Sequence, residues 1–121
     1  MVVREENTAR HLGSGDVAVL ATPEMIRLME RASVAAVDHL LPEGRRTVGV
    51  HVDVRHLAAT PLGMRVTARA ELVAVEGRRL TFRVEAFDEV ERVGEGQHQR
   101  VIVELERFRG RVEAKRSLPP R

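Results

Sequence analysis

Three side chains here are of the kinds that move protons or attack electrophiles, and each stands where the surrounding pattern makes it conspicuous: Thr22, Glu30 and His56. Glu30 is the sharpest of them. Advancing roughly 100° per residue along a helix, Met25, Ile26, Met29, Ser33, Val34, Ala36, Val37, Leu40 and Leu41 fall on one half of the wheel, with Arg27, Arg31 and Asp38 on the other. Glu30 projects from the apolar half, between Val37 and Leu41. A carboxylate without partners among hydrocarbon costs several kcal/mol or takes up a proton, so keeping one there points to a general base or a nucleophile in a mostly dry pocket. The ordinary alternative is a carboxylate satisfied by Arg27, Arg31 or a buried backbone donor.

Thr22 opens this helix. With Pro23 at the first helical position and Glu24 at the positive dipole end, its hydroxyl is placed to cap the first turn. The same helix start is also suited to a developing oxyanion. Leu41-Pro42-Glu43-Gly44 ends the helix. From Arg46 to His56 the period becomes two, Val48, Val50, Val52 and Val54 alternating with Gly49, His51, Asp53 and Arg55, as in a strand with one buried face. His56 shares the valines' parity and is expected to face the helix and partner Glu30, while His51 faces away. A core histidine at a strand end is the alternative, and Gly49 could merely relieve crowding. His39, in the last helical turn, reads as a dipole complement. His11 and His98 stand beside glycine-rich turns and could line a cleft.

These residues need a scaffold. Residues 1 to 16 are polar and end in Gly13-Ser14-Gly15-Asp16, expected as a loop or lid rather than a packed element, and Val17 to Leu20 is a short apolar run. Met64 to Val75 and Leu80 to Asp88 read as strands joined by a tight hairpin at Glu76-Gly77-Arg78-Arg79. Gly94-Glu95-Gly96 is expected to turn the chain into a last strand, about Gln97 to Phe108. A basic, frayed tail over 109–121 would follow a single domain over 1–108. One long helix and a meander of strands describe an α+β chain, an antiparallel β-sheet wrapped around one long central helix, the layout called a hot-dog fold. A long valine-rich strand at a sheet edge must be paired or protected, and dimerisation is the expected answer.

Composition narrows the partners. At 121 residues the chain is one domain. A net charge of +2, with Lys115 the only lysine, is too small to imply nucleic-acid binding by field strength, and three Phe with no Tyr or Trp give few stacking platforms. Without cysteine there is no disulfide, thiolate nucleophile or Cys-based zinc site, which suits a reducing cytoplasm. No signal-peptide core or membrane span is evident. A soluble, cytoplasmic protein without membrane or nucleic-acid partners is expected.

Several segments together carry a resemblance: Thr8-Ala9-Arg10-His11-Leu12, Ala21-Thr22, Leu28-Met29-Glu30, Thr47-Val48-Gly49, His56 through Gly63, Val75 through Leu80, and Gly94 through Arg100. The sequence resembles the fluoroacetyl-CoA thioesterase family of hot-dog proteins over nearly its whole length. The resemblance implies hydrolysis of an acyl-CoA thioester by a homodimer, or by a dimer of two such dimers, with Thr22, Glu30 and His56 at the catalytic positions and a Gly49 backbone N–H near the thioester carbonyl. Neither cofactor nor metal is implied, coenzyme A being part of the substrate, and the His/Glu spacing gives no convincing ligand set. His98, Arg100 and the basic tail are the candidates for holding substrate, the last two through the CoA phosphates. Pro23-Glu24 replaces the family's glycine and phenylalanine, and the segment before the helix lacks its phenylalanine. That implies a different, broader acyl preference.

Spacing sets a condition on any such site. Thr22 and Glu30 are about 12 Å apart along a helix, and Gly49 and His56 roughly 23 Å apart along a strand. If the strand over 46–56 pairs antiparallel with its own copy about an axis near Val52 and Asp53, Gly49 of one chain comes opposite His56 of the other, giving a composite site. Within it Glu30 would attack the carbonyl or activate water, and Thr22 would donate to the intermediate or be the nucleophile activated by His56. A non-catalytic acyl-CoA-binding module and an enoyl-CoA hydratase on the same fold are the rival readings.

Overall fold

Four antiparallel strands, β1 (Arg45–His56), β2 (Thr67–Glu76), β3 (Arg79–Phe87) and β4 (Arg92–Glu104), form one sheet in the order β1-β4-β3-β2. The computed structural model describes residues 1–13 and 15–121. The long helix α2 (Thr22–Val37) crosses one face of the sheet, over β2 and β3 far more than over β1. Its fully buried line is Met25, Met29, Ser33 and Val37, an i,i+4 stripe that packs with Leu80, Phe82, Val84, Ala86 and Val93. This is the expected α+β layout.

β1 is an edge strand. Among the described residues its outer edge has no neighbour, and Val50 and Val52 remain 48% and 41% exposed. The simple alternation expected for this strand does not hold. Gly49 pairs with Arg100 and His51 with Gln99, so Val50 is an extra residue, a β-bulge that reverses the pleat. Thr47 and Gly49 therefore share the helix-facing side with Val52, Val54 and His56.

Three expectations are corrected. Residues 1 to 13 are packed, not merely a polar lid: Val3 and Thr8 are fully buried, and Val2, Thr8 and Val19 bridge to Arg65, Leu20 and Pro61. The short helix α1 (Ala9–Leu12) lies there, and the lid motif falls partly outside the described residues, at Ser14. Gly94 and Gly96 lie inside β4, and the turn comes earlier, where Asp88 Oδ1 accepts from the backbone N–H groups of Val90 and Glu91. Gly94 is in the strand because a Cβ there would overlap Met25 Sδ, so it lets α2 approach the sheet. Finally, β4 stops at Glu104. Its carboxylate caps a new helix, α3 (Leu105–Ala114), accepting from the N–H groups of Glu106 at 3.4 Å and Arg107 at 2.8 Å.

Candidate active site

Two half-sites emerge from this frame. In the first, Thr22 Oγ1 lies 2.7 Å from His56 Nδ1. The helix begins one residue earlier than capping by Thr22 requires: Ala21 is the N-cap and Thr22 the first helical residue, so its hydroxyl bonds no helix amide. His56 ends β1 opposite Gly94, on the helix side. A cavity of about 400 Å³ opens beside the pair, walled by Ala9, Val19, Leu20, Leu57, Ala58 and Ala59. Burial pushes the His56 imidazole below its ordinary value of 6.5, so it is neutral at pH 7 and equipped to accept a proton. Its Nε2 is buried without a hydrogen-bond partner among the described residues.

In the second half-site Glu30 faces Arg100, Oε2 to Nη1 3.9 Å, across Gly49. A Cβ on Gly49 would stand 3.1 Å from Glu30 Oε2, 3.2 Å from His98 Cε1 and 3.3 Å from Arg100 Nη1, so the missing side chain is what lets these groups converge. The hydrogen bonds of His98 settle its tautomer. Nδ1 sits 2.8 Å from the His51 carbonyl, which can only accept, so the proton is on Nδ1. Nε2 then accepts from Arg100 Nη1 at 3.1 Å. Arg100 also donates through Nε to Thr47 Oγ1 (2.8 Å) and through Nη2 to the Thr47 carbonyl (2.9 Å), while Thr47 Oγ1 donates to Asp38 (2.6 Å). Burial lowers the Arg100 pKa, opposed by the nearby Asp38 and Glu30 carboxylates; the guanidinium stays charged. A second cavity, about 390 Å³, opens beside Glu30, Arg100 and Val34.

Placement departs from expectation at three residues. The Glu30 side chain is 42% exposed in the single chain, on the shoulder of the buried stripe one residue after Met29, not walled in by hydrocarbon. His56 bonds Thr22, and the cation beside Glu30 is Arg100. Arg100 is buried, donating three hydrogen bonds to Thr47 and His98, and it lines the cavity beside Glu30 rather than the open surface. Thr47 and Asp38 were given no role at the site from the sequence. Asp38 lay on the polar half of the helix, and only the bulge at Val50 turns Thr47 inward. Among the described residues no group of three His, Asp or Glu side chains gathers as for a metal, and no helix is long and apolar enough to cross a membrane.

An antiparallel sheet packed on one long helix defines a protein of the hot-dog class, the class of the thioesterases whose solved structures superpose on it. Residues 3–106 match the family of fluoroacetyl-CoA-specific thioesterases. The fluoroacetyl-CoA thioesterase of Streptantibioticus cattleyicolor is 44% identical over 120 residues, 94% of this chain and 86% of that one. A solved fluoroacetyl-CoA thioesterase superposes with a TM-score of 0.88 at 42% identity, covering 98% of this chain and 91% of the other. A thioesterase superfamily member from Thermus thermophilus gives 0.90 at 34%, covering 97% and 87%. The chain belongs to the fluoroacetyl-CoA-specific thioesterase family and is an acyl-CoA thioester hydrolase. That sets aside the non-catalytic reading.

Proposed function

We propose that the protein hydrolyses short-chain acyl-CoA thioesters in two identical centres, each assembled from the Thr22–His56 half-site of one subunit and the Glu30–Gly49 half-site of its partner across paired β1 edges. The observation that carries this reading is the 2.7 Å contact between Thr22 Oγ1 and His56 Nδ1, a nucleophile and a neutral base within hydrogen-bond reach. Thr22 attacks the thioester carbonyl as His56 takes the hydroxyl proton, and a Gly49 backbone N–H supports the oxyanion. The C–S bond breaks and the thiolate leaves with the proton held by His56. Glu30, beside Arg100, then takes a proton from the water that attacks the acyl-threonine ester, and as the acyl C–Oγ1 bond breaks that proton passes to Thr22 Oγ1, restoring the hydroxyl and releasing the acid. The short-chain preference is supported by the family match, whose named substrate carries a two-carbon acyl group. A solved relative holds fluoroacetate and CoA together, so fluoroacetyl-CoA belongs among the substrates to be tried.

A thiol-release assay over fluoroacetyl-, acetyl-, propionyl-, butyryl- and octanoyl-CoA tests this assignment. Turnover should be highest for the shorter chains; fastest release from octanoyl-CoA would overturn the short-chain reading, and no release from any would overturn hydrolysis of these thioesters. Formation of a hydroxyacyl product from enoyl-CoA without free thiol would favour the hydratase.

The pH dependence carries a second expectation. Because burial disfavours the imidazolium, the base form of His56 survives to lower pH than in a free histidine. The acid limb of kcat/KM should therefore have its midpoint below 6.5, and an imidazole limb above that value would contradict the assigned environment. Stability follows the same sign: it is complete above 6.5 and declines as pH falls from there toward the folded-state value, because the unfolded chain takes the proton first.

A further inference from the structure

We propose that Arg45, Arg78 and Arg107 form the site that holds the phosphate groups of coenzyme A, an assignment that rests on reading the protein as a CoA thioesterase. These three arginines come from separate places in the sequence: the start of β1, the β2–β3 hairpin and the first turn of α3. They meet around a cavity of about 200 Å³ at one end of the sheet, completed by Ile102, Val103 and Glu104. What distinguishes the cluster is that three arginines without carboxylate partners gather around one hollow. Arg83 and Arg92 on the neighbouring strands do reach carboxylates, Arg83 to Glu71 at 2.8 Å and Arg92 to Glu85 and Glu95 at 3.3 and 2.9 Å. Among the described residues Arg45, Arg78 and Arg107 form no ion pair within 4.0 Å. The one carboxylate on the cavity, Glu104, already accepts from two backbone N–H groups at the start of α3.

Three like charges around one hollow repel unless an anion joins them, and guanidinium forks match phosphate oxygens. The occupant follows from position. Arg45, Thr47 and Gly49 share one side of β1, so the cavity lies about 13 Å along the strand from Gly49. That span suits an extended pantetheine arm reaching from a thioester at Gly49 to the phosphates at the sheet end. It also gives coenzyme A an anchor that does not draw on Arg100, which is buried and committed elsewhere.

The test is calorimetric binding of CoA, pantetheine and inorganic pyrophosphate to the wild type and to the variant combining Arg45→Gln, Arg78→Gln and Arg107→Gln. These side chains are exposed and make no recorded side-chain hydrogen bond within the chain, so the fold should survive, which thermal melting checks. Arg78→Gln alone serves as the second variant. CoA should bind about tenfold or more weakly to the triple variant, in line with the loss of charge-assisted hydrogen bonds, while pantetheine binding stays constant. Pyrophosphate should compete with CoA on the wild type. Unchanged CoA affinity in both variants overturns the proposal. Loss of pyrophosphate binding with CoA unaffected would assign the cavity to a free polyphosphate and overturn it too. Failure of the wild type to release thiol would count against the enzymatic reading alone, since CoA binding needs no turnover.

Discussion

Glu30→Gln should lower kcat for thiol release under steady state by about 10²- to 10⁴-fold, the range expected when a positioned base is lost. Glutamine keeps the shape of the side chain but cannot take a proton from water. If Glu30 acts after Thr22 has been acylated, the variant should still release one equivalent of thiol per active centre in a rapid burst and then stall. Mass spectrometry of the stalled protein would find the acyl group on the peptide carrying Thr22. Retention of wild-type turnover would remove Glu30 from the chemistry. An acyl adduct elsewhere, or no burst at all, would reverse the order of events proposed above. The side chain's partial exposure makes the substitution a mild one for the fold.

Mixing two inactive variants provides the second large effect. His56→Ala disables one half-site and Glu30→Gln the other. In a homodimer whose centres draw on both chains, a heterodimer of the two variants places both lesions in one centre and leaves the other intact. Co-refolding equal amounts should therefore bring activity back from near zero to about a quarter of the wild-type value, half of the dimers being mixed and each of those having one working centre. If each chain supplied a complete centre, no combination would recover anything. The long unpaired edge of β1, with Val50 and Val52 exposed on it, is the structural reason for expecting recovery.

Much of this arrangement was readable in the residues. The long helix followed from its apolar stripe and its punctuation at Pro23 and Pro42, the hairpin at Gly77 from turn chemistry, and the α+β class from helix followed by meander. Thr22 and His56 were chosen for different reasons and turned out to be bonded to each other. Two kinds of information were missing. One was local: an extra residue at Val50 leaves no compositional mark, because valine suits a regular strand as well as a bulge. The other was long-range. Gly94 reads as a turn until Met25 is known to lie over it, and Glu104 reads as strand until its carboxylate is seen to accept from the amides of Glu106 and Arg107. Glu30 was judged too simply: a wheel drawn at a constant angle gives the apolar half its width but does not say which of its residues the sheet covers.

The extra residue in β1 also governs what kind of change this enzyme can tolerate. Side chains along the strand can be exchanged one at a time, but its register cannot. A chain without Val50 would keep both halves of β1 on their present faces, because Gly49 already pairs with Arg100 and His51 with Gln99. Regular pairing with Val50 retained and set opposite Arg100 would instead rotate everything from Arg45 to Gly49 onto the opposite surface. Thr47 would then leave Arg100, and the gap in which Glu30, His98 and Arg100 converge would be filled by a valine side chain. A one-residue slip of register far from Thr22 and His56 would thus silence the enzyme while leaving its most recognisable residues in place, so the pairing of this strand discriminates a working relative from a derelict one better than a count of matched identities.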